Sequence, residues 1–126
     1  MINGVLNVYK EKGYTSHDVV AKLRGILRQK KIGHTGTLDP EAEGVLPVCL
    51  GKATKLCELL TDKTKTYEAV LRFGIVTDTQ DMTGKVLEEH PVSVTDEEVE
   101  RTILSFLGEQ EQIPPMYSAL KVNGRK

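Results

Sequence analysis

The chain has no long hydrophobic run. Its longest apolar stretch falls far short of the ~20 residues that a bilayer-crossing helix needs. Its first residues, Met1-Ile2-Asn3-Gly4, lack the basic n-region and apolar h-region of a secretory signal, so a cytoplasmic location is expected. Cysteine is scarce. Cys49 and Cys57 have no CxxC spacing, which favours thiols used as small hydrophobes over a disulfide or a metal site. No internal repeat and no low-complexity tract is present. Net charge is nearly absent at −1, which argues against a generic polyanion binder. What remains is 126 residues, 39% of them hydrophobic, enough for one domain with a modest core.

The near-zero charge hides a division. Residues 1–67 hold 11 Lys and Arg against 7 Asp and Glu, and residues 68–126 hold 6 against 11. In the basic half, Lys22, Arg24, Arg28, Lys30 and Lys31 fall within ten residues. Such a cluster suits either a phosphate-contacting face or a solvated helix, and charge alone favours the solvated helix. Residues 88–111 carry eight acids with Arg101 as the one Lys or Arg, a poor surface for RNA.

Periodicity sketches an α+β fold. Val5-Leu6-Asn7-Val8-Tyr9 reads as a strand, followed by a turn at Lys12-Gly13. Thr15 and Asp18 form a capping box ahead of Val19, Val20, Leu23, Ile26 and Leu27, which share one helical face. Residues 33–44 have breakers and no period, so they are read as a loop. Residues 45–50 read as a buried strand in which Pro47 calls for an edge, a bulge or a strand start. Ala53, Leu56, Cys57 and Leu60 mark a second helix. Tyr67, Ala69, Leu71 and Phe73 alternate as a half-buried strand. A turn at 77–84 leads to a return strand at 85–90. Thr95 and Glu98 cap a helix whose buried side is Val99, Ile103, Phe106 and Leu107, with Gly108 as its stop. Residues 113–115 are extended and 118–122 read as a last strand. Asn123-Gly124 is a hairpin signal two residues before the chain stops, so a fragment of a longer protein is expected.

The segment with chemistry in it is Gly33-His34-Thr35-Gly36-Thr37-Leu38-Asp39-Pro40. Pro40 biases Asp39 toward an extended backbone, which would project a charged carboxylate from a stiffened loop beside an apolar strand. Spacing alone permits a helix cap or an ordinary turn equally well.

Residues 33–55, GHTGTLDPEAEGVLPVCLGKATK, resemble the signature segment of the TruB family of tRNA pseudouridine synthases. Asn3-Gly4-Val5-Leu6, Gly13-Tyr14-Thr15-Ser16, Lys65-Thr66-Tyr67, Thr77-Asp78-Thr79-Gln80-Asp81 and Met116-Tyr117-Ser118-Ala119-Leu120-Lys121 resemble family segments in the same order. The resemblance covers the whole chain but only the first half of the family's catalytic domain. It implies an α+β fold with a mixed, mostly antiparallel sheet and flanking helices. It also implies isomerisation of uridine to pseudouridine in the T-arm loop of tRNA.

By that resemblance Asp39 is the catalytic carboxylate, His34 supports the flipped nucleotides, and Tyr67 stacks on the target base. Lys31, at the basic end of the helix, and Lys55 would meet phosphates, although a solvated surface suits Lys55 as well. The reaction needs no redox cofactor and no metal. The expected partner is tRNA, without a membrane, and the full-length protein is expected to be monomeric. The rest of the catalytic domain, with the arginine that pairs with the aspartate, and a C-terminal PUA domain would lie beyond residue 126. A non-catalytic RNA-binding or RNA-folding module with the same surface is the alternative. Three residues depart from the family pattern. Glu11 replaces a stiffening proline after Lys10, Glu41 replaces an apolar residue, and Glu43 replaces a small or hydroxyl one. Glu41 and Glu43 add negative charge where phosphates would approach.

Overall fold

The computed structural model describes residues 1–61, 64–116, 121 and 124. The chain divides into two units, Met1–Tyr67 and Glu68–Lys126, so the structural boundary coincides with the charge boundary.

In the first unit the order is β1 (Gly4–Lys10), α1 (Ser16–Leu27), β2 (Ile32–His34), β3 (Gly44–Leu50), a 3-10 helix (Gly51–Leu56) and α2 (Cys57–Thr61). Helix α1 starts where the sequence predicts. Thr15 Oγ1 accepts from Asp18 N at 3.0 Å, and the Asp18 carboxylate accepts from Thr15 N at 2.9 Å. The helix ends on Arg28, whose φ of 49° is left-handed, a conformation that costs a non-glycine residue about 1 kcal/mol. Arg24 holds the turn that follows, donating to the carbonyls of Lys30 and Ile32.

The sheet order is β1-β3-β2, with both pairings antiparallel. Strand residues alternate between faces, so Leu46, Val48 and Leu50 point the same way. Together with Ile32 they pack on Val19 and Val20, while Val8, Tyr14, Leu23, Leu27 and Leu38 close the margins. Each such buried aliphatic side chain contributes about 1.5–3 kcal/mol. Ile26, expected on this face, is 65% exposed. It lies at the edge of the apolar arc beside Val19, near the end of the helix.

Three expectations are corrected in this unit. Gly33 and His34 belong to β2, so the loop is 35–43, the connection of a β2–β3 hairpin. Pro47 sits on the central strand, not an edge. Its carbonyl accepts from Thr35 N and Thr35 Oγ1, and its nitrogen faces the same side, just past His34, the last paired residue of β2. The missing N–H therefore costs no ladder bond. The second helix is split, because its first six residues are 3-10. The tighter turn moves Leu56 out to solvent and leaves Ala53, Cys57 and Leu60 half-buried. Gly51 opens that turn with φ of 58°, and a Cβ there would collide with the Asn3 side chain.

In the second unit, β4 (Ile75–Thr77) and β5 (Val86–Glu89) form a hairpin with a register shift at Val76/Thr77. Asp81 Oδ1 organises its tip, accepting from Thr79 Oγ1, Thr83 N and Thr83 Oγ1. Helix α3 (Asp96–Leu104) opens with the expected Thr95–Glu98 capping box. Two other expectations fail here. The alternating segment from Tyr67 to Phe73 forms no strand; Tyr67 is 62% and Phe73 46% exposed. On α3, Val99 is half-buried, whereas Ile103, Phe106 and Leu107 are exposed. The helix ends at Leu104, before Phe106, and Gly108 adopts a left-handed φ of 92° further on. In both cases the apolar stripe is real but has no cover among the described residues. The strand expected at 118–122 and the Asn123-Gly124 hairpin lie wholly or partly outside them.

Every observed strand pair is antiparallel and helices flank the first sheet, so the α+β architecture stands. Among the described residues no helix is long and apolar enough to cross a membrane.

Candidate active site at the β2–β3 loop

The loop 35–43 is fixed by its backbone. Leu38 N donates to Ser16 Oγ at 2.9 Å, and the same hydroxyl donates to Leu38 O at 3.3 Å. Ser16 is buried at the start of α1. Asp39 O accepts from Ala42 N at 3.0 Å. Pro40 O accepts twice, from Gly13 N at 2.8 Å and from Lys10 Nζ at 3.3 Å. The backbone is thus tied at three successive residues, with Asp39 in the middle.

The Asp39 side chain itself is exposed and pairs with no cation among the described residues. It is not a helix cap, because Thr15 caps α1. A carboxylate on a pinned backbone with its oxygens open to solvent can act as a nucleophile or a base toward a docked substrate.

Lys10 is a residue the sequence reading missed. It is fully buried, and its Nζ donates to the carbonyls of Glu11, Tyr14 and Pro40. These bonds tie the end of β1, the turn before α1 and the Asp39–Pro40 corner together. They hold the turn that runs from Lys10 to Gly13. A lysine at a strand end ordinarily reads as surface, and the only cue was its place in the opening Lys-x-x-Gly turn.

His34 lies on β2 with its Nδ1 2.6 Å from Gly36 O. A carbonyl can only accept, so Nδ1 carries a proton and donates it to Gly36 O. Beside it is an open cleft of about 510 Å³, lined by His17, Arg24, Lys30, Lys31, His34, Thr54 and Cys57 together with Val20, Ile32 and Gly33. The cleft contains no acid. Arg24 is occupied with backbone carbonyls, and Lys22 is turned to Tyr14, whose ring centroid is 5.1 Å from its Nζ. Of the basic cluster, exposed Lys30 and Lys31 are therefore the cations that the cleft presents.

The two thiols meet at the back of this cleft. Gly33 pairs with Cys49, and a Cβ on Gly33 would lie 3.2 Å from Cys57 Sγ. Burial, with the neighbouring Cys57 adding to it, pushes the Cys49 thiol up to about 11. Cys49 is buried as expected, whereas Cys57 is half-buried.

The structure thus brings Lys31 and His34 into one cleft and places Asp39 on the anchored corner five residues beyond His34. Lys55 is exposed at the end of the 3-10 helix and does not line that cleft. Tyr67 is exposed and in no strand. Of the two unexpected acids, Glu41 pairs with Lys12 at 3.0 Å. The Tyr9 hydroxyl is raised above the ordinary tyrosine value by desolvation and then by the negative charge of Glu43. Among the described residues no three potential metal ligands cluster.

Comparison with known proteins gives the following. The sequence pattern described as TruB family pseudouridylate synthase (N terminal domain) matches residues 24–126. The protein named tRNA pseudouridine synthase B of Lachnoclostridium phytofermentans is 69% identical over 125 residues, covering 99% of this chain and 41% of that protein. Its namesake from Bacillus subtilis is 56% identical over 128 residues, covering 100% and 41%. The chain therefore spans about two fifths of the length of these curated relatives. Among solved structures, a chain of a Cbf5-Nop10-Gar1 complex is similar with a TM-score of 0.57 and 32% identity, over 94% of this chain and 31% of that one.

Proposed function

The chain belongs to the TruB family of pseudouridylate synthases, and from that premise we propose that it is the N-terminal, aspartate-bearing part of an enzyme that isomerises uridine to pseudouridine in the T-arm loop of tRNA. The observation that carries the reading is the Asp39 corner, a solvent-facing carboxylate whose backbone is tied at Leu38, Asp39 and Pro40. The names of the relatives, tRNA pseudouridine synthase B, support the substrate class.

The chemistry is balanced without a redox step. The N1–C1′ bond of uridine breaks, the uracil turns, and C5 bonds to C1′; the C5 proton leaves to solvent and N1 takes one up, so the product is an isomer of the substrate. The Asp39 carboxylate attacks C1′, adds to C6 of the base, or abstracts the C2′ proton. Each route needs the base out of its stack. Tyr67, exposed at the end of the first unit, provides a stacking face for such a base. Lys30, Lys31 and His34 line a cationic cleft suited to the flanking phosphates and sugars.

The test is Asp39→Asn in the full-length protein carrying this chain. Release of the C5 proton from tritiated tRNA is expected to disappear while tRNA affinity stays unchanged. Equal turnover by both proteins would overturn the assignment of Asp39. Turnover of a free nucleoside or glycoside without RNA would point to a small-molecule hydrolase instead.

A further inference from the structure

Lys65 belongs to no role assigned above. It is exposed, in the segment that leads from α2 to Tyr67, yet its side chain lies back over the β2–β3 loop. A Cβ placed on Gly36 would be 3.6 Å from Lys65 Cε and 3.7 Å from Lys65 Nζ. The cation therefore lies over bare backbone, 29 residues away in sequence and three residues before Asp39. No salt bridge among the described residues involves it. Its floor is rigid. Gly36 O is held by His34 Nδ1, and Thr35 is buried with its N and Oγ1 both bonded to Pro47 O.

From this juxtaposition we infer that Lys65 is a substrate-positioning residue that binds a phosphate of the nucleotide presented to Asp39. The inference rests on the RNA-modifying reading above and extends it to one named contact. A lysine ammonium offers three donors on a flexible stem and acts on phosphate as a point charge. Gly36 has no side chain to compete for the space beneath it. Glu41 of the same loop is already paired with Lys12, and neither Asp39 nor Glu43 forms a salt bridge with Lys65 among the described residues. The anion that fits over Gly36 is therefore one brought by the substrate. Phosphate contacts set the register of a nucleic acid without reading its sequence. Lys65 would accordingly fix where the sugar lies relative to Asp39, whatever the neighbouring bases.

The experiment compares tRNA binding and turnover for wild type, Lys65→Ala, Lys65→Arg and Lys85→Ala in the full-length protein, at several salt concentrations. Lys85 lies in the second unit and serves as the charge control. Lys65→Ala is expected to weaken binding by about five-fold at low salt and to lower the salt slope by about one. It is expected to raise KM with kcat nearly unchanged. Lys65→Arg restores the slope, and Lys85→Ala leaves it as in wild type. An unchanged slope in Lys65→Ala overturns the inference, as does a fall in kcat with no change in slope, which would make Lys65 a charge partner of Asp39. Absence of tRNA binding by the wild type overturns the RNA reading itself and this inference with it. Asp39→Asn in the same assay separates loss of chemistry from loss of this contact.

Discussion

The two units of the chain have similar local signals and different outcomes. Each contains a capping-box helix and an antiparallel pairing. In the first unit α1 lies against a three-stranded sheet, and every buried hydrophobic residue described belongs to this unit. In the second unit neither α3 nor β5 buries a residue, and Thr77 is the one buried side chain described. The difference teaches that an amphipathic stripe specifies a face and not its cover. Burial comes only when a second element of matching pattern is brought opposite. The charge follows the same line, with the basic cleft in the first unit and the acidic run in the second.

The largest effect should come from breaking the tie between strand and loop. Lys10→Met keeps the apolar stem and removes three hydrogen bonds to backbone carbonyls. A loss of about 3 kcal/mol from the first unit is expected, read as faster amide exchange in β1 and in the loop 35–43. Exchange in β4 and β5 should stay as it was. A smaller pair of changes sharpens the contrast in packing. Val48→Ala, at a fully buried site, should cost about 2 kcal/mol in urea unfolding. Ile103→Ala, on the exposed side of α3, should stay within about 0.5 kcal/mol. Equal costs would mean that α3 is covered in solution.

Acid gives the smallest effect. Hydrogen bonds from Thr83 and then Thr79 hold Asp81 below the usual carboxylate range. A bond from Thr15 does the same for Asp18. A carboxylate depressed in the folded state adds stability above its unfolded value and loses it as pH falls through the folded one. Below about pH 4 the tip of the β4–β5 hairpin should therefore loosen, seen as faster exchange at Thr83. The α1 cap weakens over the same range, but its helix remains packed on the core. Asp81→Asn should loosen the tip at neutral pH and remove the pH dependence.

What was legible in the sequence was local. Both capping boxes, the turn at 77–84 and the return strand after it depend on residues a few positions apart, and they formed as expected. The loop was legible as the place of the candidate site, through the breakers around Asp39 and the resemblance of residues 33–55. What escaped depended on distant partners. Pro47 called for an edge, a bulge or a strand start because nothing local shows that β2 stops at His34. Lys10 looked like surface because its three acceptors lie on residues 11, 14 and 40. The alternation from Tyr67 to Phe73 promised a strand but could not supply a neighbour for it. Lys65 stood inside a matched segment, yet its approach to Gly36 spans 29 residues and leaves no trace in spacing.

The anchoring of Leu38, Asp39 and Pro40 has a consequence for how encounter would proceed. That stretch of main chain has already committed its bonding groups to Ser16, Ala42, Gly13 and Lys10, so yielding to an incoming molecule would break contacts without replacement. Rearrangement on docking therefore falls to the visitor. On the proposed function, a nucleotide would have to unstack and turn to meet a carboxylate whose mounting does not move, with the ordering cost on the protein side already met during folding.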